Sequence, residues 1–418
     1  MDPSELWASP DPGLPQRPDA PQGPPPRPYD PSPSEQSQPY GSNAPHPAPQ
    51  FYAPEPTPPG IYGQQPPYGY PPQPYGGYPP YGPPQQPYGP PGYWQPPQKQ
   101  PWVVAAPPGT PYHRLARTAL HRWWRPLVGT LFLFAVGFVV IIAVMIVAMI
   151  VYAVSTGHAP DGTGDSFFHN ATGDLAFELL TLGVLTPVVL LTVWVVQRRP
   201  VGSVVSVTGR VRWKWLFICC ALAIGFCATE FATSYVVTAI FTDEPLTAPK
   251  WAGWDTFLLP AVVIVLLVPF QSTAEEFLFR GWVVQAIAAC TLETRKGPVG
   301  RAFSVVFRTP WPALIISAAI FTSGHGYTGW AMFDTFLFGL LAGWLAVKTG
   351  GLEAGIALHV LNNLMAFLLP AAAGDLAASM KQGGAPWYAF LSDAVPLALY
   401  GLVVVLMARR LKVRTVSA

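Results

Sequence analysis

Long apolar stretches occupy most of the chain beyond residue 115 and constrain its fold more than any other feature. Each of the longer ones reaches the roughly 20 residues that a helix needs to cross a bilayer. Charged residues make up 11% of the chain, against about 25% in a typical soluble domain. The pattern predicts an all-α polytopic membrane protein with about eight transmembrane helices, at 127–154, 175–197, 213–241, 254–288, 311–326, 331–348, 352–370 and 388–408.

The N-terminal part has a different composition. Residues 1–110 hold 37 of the 52 prolines and only three Lys or Arg residues, and their other main components are Tyr, Gly and Gln. Such a segment buries too little apolar surface to offset the entropy lost on ordering. We therefore expect a disordered cytoplasmic tail at 1–112 and a membrane domain at 113–418. The tail acts as a spacer or, alternatively, as a docking arm for protein partners.

The basic residues give the expected orientation, because cytoplasmic loops carry an excess of Lys and Arg. Eighteen of them flank one set of helix ends, and only Lys250 and Lys381 flank the other. The first residues also lack the basic and apolar regions of a signal peptide. We therefore expect a multi-pass protein of the plasma membrane with both termini in the cytoplasm. The eighteen are Arg114, Arg117, Arg122, Arg125, Arg198, Arg199, Arg210, Arg212, Lys214, Arg295, Lys296, Arg301, Arg308, Lys348, Arg409, Arg410, Lys412 and Arg414.

Three of the apolar stretches contain polar groups that lipid disfavours, by roughly 2.5–3.5 kcal/mol for each charged residue. The first contains two adjacent carboxylates and an arginine, the second a histidine and the third a histidine and an asparagine. Each set has a structural interpretation of its own: a helical salt bridge, a buried histidine or an interhelical hydrogen bond. The residues are Glu275, Glu276 and Arg280, then His325, then His359 and Asn363.

Taken together, the three sets have the composition of a hydrolytic site. A carboxylate and an imidazole can activate a water molecule, and His and Asn can donate hydrogen bonds to a tetrahedral oxyanion. Among the other acidic residues, Glu230 lacks a local partner and is a candidate accessory residue. We expect structural roles for Glu178 and Glu353, which lie near helix starts.

The sequences EEFLFR at 275–280, FTSGH at 321–325 and HVLNN at 359–363 resemble the CAAX protease and bacteriocin-processing (CPBP, or Abi) family. The resemblance covers about 254–370 and implies an eight-helix intramembrane endopeptidase of the CAAX-endopeptidase type. It implies that Glu275 and His325 activate water and that His359 and Asn363 hold the oxyanion. Glu276 and Arg280 would support the site.

A metal requirement stays open at this stage. Members of the family are often called metalloproteases, but this sequence lacks the HExxH motif. If the protein is a metalloenzyme, His325, His359 and Glu275 are the candidate ligands of a zinc ion, with water as the fourth ligand.

Two other functions compete with the protease. One is a non-catalytic membrane factor, such as an immunity or partner-recruiting protein, that retains the fold. The other is a transporter, which more often shows inverted repeats that are not found here. We expect the lipid bilayer and a membrane-associated protein or peptide substrate as partners, and no nucleic acid.

The stretch 254–288 is longer than a membrane span. As one helix it would measure about 52 Å, against a hydrocarbon core of roughly 30 Å. Pro260 and Pro269 allow a kink or a break within it. We expect a long tilted helix that extends into the cytoplasm and a site that opens on the cytoplasmic side.

Overall fold

The computed structural model describes residues 101–160, 166–243, 250–290 and 297–418. The tail prediction for 1–100 and the basic residues Arg295 and Lys296 lie outside the described residues. The all-α prediction is confirmed, since helices dominate the described residues and the named strand, β1, contains only Gly384–Ala385.

The helices follow the apolar stretches closely. Two of them pass directly into a segment of π-helix, in which hydrogen bonds join residues i and i+5. The helices are α1 Arg125–Thr156, α2 Ala171–Gly183, α3 Leu185–Thr192 with the π-helical Val193–Gln197, α4 Trp213–Phe241, α5 Trp254–Glu276 with the π-helical Phe277–Val283, α6 Val284–Ala288, α7 Pro298–Arg308, α8 Trp311–Ser323, α9 Gly329–Thr349, α10 Glu353–Ala373, α11 Leu376–Ser379 and α12 Ala389–Arg410.

Seven helical segments of the described chain are long and apolar enough to cross a membrane. An eighth is obtained only if α7 and α8, which are bent by 67° relative to each other, count as one span. The predicted span at 311–326 is therefore corrected: α8 has 13 residues, too few to cross alone. The break falls at Thr309 and Pro310, because the residue before a proline avoids helical angles.

The end of the bundle that carries most of the described Lys and Arg residues is tied together by one buried ion pair. Arg212, before α4, donates through Nε to Glu353 Oε1 at 2.8 Å. It also donates to the carbonyl oxygens of Thr349 at 2.8 Å and Arg414 at 2.9 Å. Glu353 is fully buried. Glu353, for which we expected a structural role, thus helps to join α4, α9, α10 and the C-terminal segment.

The segment before α1 packs against the same end. The Val104 amide donates to the Arg198 carbonyl at 3.0 Å, and the buried Tyr112 hydroxyl donates to the Val204 carbonyl at 2.5 Å. The backbone of Thr110 also accepts from the Ser417 amide at 2.9 Å. Residues 101–112, which we assigned to the tail, therefore pack with the membrane domain.

Candidate active site

The two adjacent glutamates end α5, and the arginine lies in the π-helical segment that follows. Arg280 Nη1 lies 3.0 Å from Glu276 Oε1, which confirms the ion pair expected from their spacing. The helix runs on from Trp254 to Ala288, with Pro260 and Pro269 inside it. The long helix expected for this stretch is therefore present, and the motif lies where its hydrogen bonding changes from α to π.

His359 lies between the two carboxylates. Its Nδ1 hydrogen-bonds Glu276 Oε1 at 2.9 Å, and its Nε2 lies 3.3 Å from Glu275 Oε2. Glu276, Arg280 and His359 are at most 2% exposed. With both ring nitrogens protonated, His359 and Arg280 balance the two carboxylates, so the buried group is neutral overall.

One oxygen of Glu275 is left with capacity for another partner. Glu275 Oε2 is buried and makes no well-formed hydrogen bond to the described residues, although His359 Nε2 lies 3.3 Å away. A buried carboxylate oxygen without a hydrogen bond is costly. A water molecule at this position would satisfy it.

Phe321 connects the three motifs. The Arg280 guanidinium carbon lies 4.4 Å from the centre of the Phe321 ring, a cation–π contact. The same ring lies 4.3 Å from the ring of His325 and 5.9 Å from that of His359, edge-on to the latter. The phenylalanine therefore positions a side chain from each motif.

Two glycines make room for the charged group. A β-carbon at Gly355 would lie 2.7 Å from Glu276 Oε2, so α10 approaches α5 closely only because this position has no side chain. The carbonyl oxygen of Gly339, on α9, lies 3.4 Å from Arg280 Nη2. A β-carbon there would come within 3.2 Å of Phe321.

His325, just after the end of α8, is oriented by a backbone carbonyl of that helix. His325 Nδ1 lies 2.8 Å from the Phe321 carbonyl oxygen, so this nitrogen must carry the proton and donate it. The neutral ring then has a free lone pair on Nε2. That nitrogen can accept a proton or hold a water molecule.

Asn363 contacts two polar residues of α5 that the sequence analysis missed. Its Nδ2 donates to Gln271 Oε1 at 3.1 Å and to Ser272 Oγ at 3.3 Å. The signal was present, since Gln271 precedes Glu275 by four residues and shares its helix face. Amide nitrogen and oxygen are interchangeable in such a network. Flipping both amides reverses the direction of these bonds, with Asn363 Oδ1 as acceptor, and releases the N–H groups of Asn363 from them.

A cavity of about 200 Å³ adjoins these residues. His325, His359 and Asn363 line it, whereas Glu275, Glu276 and Arg280 are not in its wall. Of the six predicted residues, four are thus in direct contact: Glu275, Glu276, Arg280 and His359. His359 also lines the cavity, together with His325 and Asn363.

Three carboxylates that were not predicted as a group line the same cavity. Asp393 of α12 lies beside both Glu230 of α4 and Asp334 of α9. Glu230, which lacks a local partner, therefore belongs to a cluster of acidic residues from three helices. Tyr327, in the loop after α8, lies beside them. Burial, with Glu178 and Asp334, raises its pKa, so its hydroxyl stays protonated and able to donate.

The residues considered for zinc are not arranged as a set of metal ligands. No group of three or more His, Cys, Asp or Glu side chains in the described ranges has the geometry to hold a metal ion. His359 directs both ring nitrogens at carboxylates, and His325 uses Nδ1 on a backbone carbonyl. The donor set formed by Glu275, His325 and His359 therefore does not fit a three-ligand zinc site.

Comparison with known proteins shows what the chain is similar to. The chain is 26% identical to the uncharacterised protein YyaK of Bacillus subtilis (strain 168) over 232 residues, which are 52% of this chain and 70% of that protein. No solved structure matches the chain at a significant level. Residues 255–365, which include all six predicted site residues, match the family described as "Type II CAAX prenyl endopeptidase Rce1-like". The part of the membrane domain that carries the site is therefore similar to the type II CAAX prenyl endopeptidases described as Rce1-like.

Proposed function

We propose that this protein is an intramembrane endopeptidase that hydrolyses a peptide bond of a membrane-associated protein or peptide. The observation that carries the proposal is His359, buried between Glu275 and Glu276 at the wall of a cavity inside the membrane domain. A purely structural ion pair between Glu276 and Arg280 needs neither the second carboxylate nor the two histidines.

Water activation is assigned to Glu275 and His325. The incompletely bonded Oε2 of Glu275 accepts the proton of a water molecule, and the free Nε2 of His325 orients that water. Loss of the proton from the water drives attack on the carbonyl carbon of the substrate. The proton is then available for the leaving amine.

Oxyanion stabilisation is assigned to His359 and Asn363. When Glu275 takes up the proton it loses its charge, so its attraction for the Nε2–H of His359 weakens and that N–H can turn to the oxyanion. The flipped Asn363 amide supplies a second N–H from one turn further along α10. Glu276 and Arg280 hold His359 in place through the hydrogen bond to Nδ1 and the ion pair behind it.

Exchange of Glu275 for glutamine tests the proposal. Glu275→Gln keeps the size and hydrogen bonding of the side chain but cannot take up a proton, so cleavage should stop while insertion and folding persist. New protein N-termini in the membrane fraction, measured by mass spectrometry, should be lost in cells with this variant. Asp255→Asn is the matched control, because Asp255 lies exposed in the first turn of the same helix.

The outcome also separates the proposal from its competitor. Persistence of every cleavage product in Glu275→Gln cells would contradict catalysis at this site and favour a non-catalytic membrane factor. Loss of the products with both Glu275→Gln and Asp255→Asn would indicate a general defect of folding. Detergent-solubilised protein of both variants should therefore be compared by thermal unfolding.

A further inference from the structure

The cavity beside the site lies toward one end of the helix bundle. Its lining residues on α9 and α12 come from the first halves of those helices, and its other wall includes the loop after α8. Ala331 and Asp334 lie two and five residues after the start of α9, and Asp393 lies four residues after the start of α12. The basic ends of these two helices, at Lys348 and Arg410, are at the opposite end of the bundle.

The basic end of the bundle is closed. Between the cavity and the basic end, a hydrophobic core contains the completely buried residues Leu345 of α9, Leu358 of α10 and Val404 of α12. The Arg212–Glu353 ion pair lies beyond them and joins four segments. A substrate approaching from this side would have to separate a packed core and a buried ion pair.

The other end has the character of a water-filled entrance. Tyr327 is 36% exposed, and the neighbouring residues of the loop after α8 are exposed as well. Carboxylates within membrane spans occur where they face a water-filled cavity or the bundle interior. Glu230, Asp334 and Asp393 are all in the wall of this cavity, which Tyr327 and the two histidines also line.

We propose that the active-site cavity opens at the membrane face opposite the basic residues, which the positive-inside rule makes the external face. The enzyme then receives peptide bonds presented from outside the cytoplasm. The inference rests on the proposed function for the chemistry in the cavity and adds the side from which the substrate enters. It reverses our expectation of a cytoplasmic opening, because that expectation came from counting residues along α5 without knowing which helix ends surround the site.

Labelling of single cysteines in intact cells tests the opening. Cys219, Cys220, Cys227 and Cys290 are first replaced by alanine, and Thr335→Cys then places one thiol in the cavity wall. A membrane-impermeant maleimide should label Thr335→Cys in intact cells, because the cavity admits water from outside. Ala331→Cys is a second variant in the same wall, for use if Thr335→Cys fails to accumulate.

Two exposed positions serve as controls for sidedness. Thr156→Cys, at the end of α1 far from the basic residues, should be labelled in intact cells, and Arg410→Cys only after permeabilisation. Labelling of Thr335→Cys or Ala331→Cys only after permeabilisation, or in neither condition, would overturn the inference. Labelling of Arg410→Cys in intact cells would overturn it too.

The labelling result does not depend on proteolysis. Repeating it with Glu275→Gln should give the same pattern, because this change affects proton transfer and leaves the cavity in place. A protein that is labelled from outside but has no Glu275-dependent cleavage would refute the proposed function and leave the opening intact. A protein that cleaves but is labelled only from inside would refute the opening alone.

Discussion

At the scale of single residues, the buried charges of Glu275, Glu276, Arg280 and His359 depend on one another. Each is held by a partner within 3.3 Å, and all four side chains are buried. Removing one member therefore leaves the others uncompensated. Such groups are sensitive to the loss of a single charge and more tolerant of the loss of an opposite pair.

We predict that Glu276→Gln destabilises the protein by about 3–5 kcal/mol, the usual cost of removing one partner of a buried ion pair. The double variant Glu276→Gln/Arg280→Met should recover part of that loss, because it removes both charges. Unfolding in detergent, followed by heat or denaturant, measures the difference. If the double variant lost as much stability as the two single variants lose in sum, the result would argue against this dependence.

The contacts at this scale were predictable only within a helix. The ion pair between Glu276 and Arg280 follows from four-residue spacing, which puts two side chains on one helix face. The contact between Glu276 and His359 does not, because residues 83 positions apart meet through the way α5 packs on α10. The roles of Gln271 and Ser272 were missed for the same reason, because both residues bond to Asn363 on α10.

At the scale of helices, the close approach of α5 and α10 places the site. It depends on Gly355, where any side chain would meet the carboxylate of Glu276. Elsewhere, the helix bounds were predicted well where the apolar stretches were uninterrupted, as in α4 at Trp213–Phe241. The prediction failed at α8, because hydropathy reports the length of an apolar stretch and gives no sign of a 67° bend.

We predict that Gly355→Ala destabilises the protein by about 1–3 kcal/mol, the typical cost of overpacking a core, and also lowers cleavage. The added methyl group must displace the Glu276 carboxylate and with it His359. Gly225→Ala, in the middle of α4, is the matched control, since no atom lies within 4 Å of a β-carbon there. Equal unfolding midpoints for the two variants would contradict the close packing at Gly355.

At the scale of the whole molecule, the chain has a boundary between the proline-rich tail and the membrane domain. Composition placed that boundary near residue 112, because prolines stay frequent up to that point. Packing places it earlier, since Val104 and Tyr112 both bond to the membrane domain. Proline content alone could not reveal this, because an extended segment can pack against a surface that the rest of the chain forms.

Two N-terminal deletions should therefore behave differently. Removal of residues 1–100 should leave insertion and the unfolding temperature unchanged, because that segment has few residues able to form a core. Removal of residues 1–115 should cost about 3–5 kcal/mol, the usual effect of losing one large buried aromatic side chain, here Tyr112. Equal stabilities of the two truncated proteins, measured by unfolding in detergent, would place the boundary after residue 115.

The pairing of Thr110 with Ser417 also has a consequence for synthesis. A ribosome makes the chain from its first residue onward, so residue 110 exists long before residue 417 has been translated. The segment before α1 therefore lacks the backbone partner of Thr110 until the helices up to α12 have been made. The earliest part of the membrane domain to be made therefore completes its contacts only after residue 417 has been made.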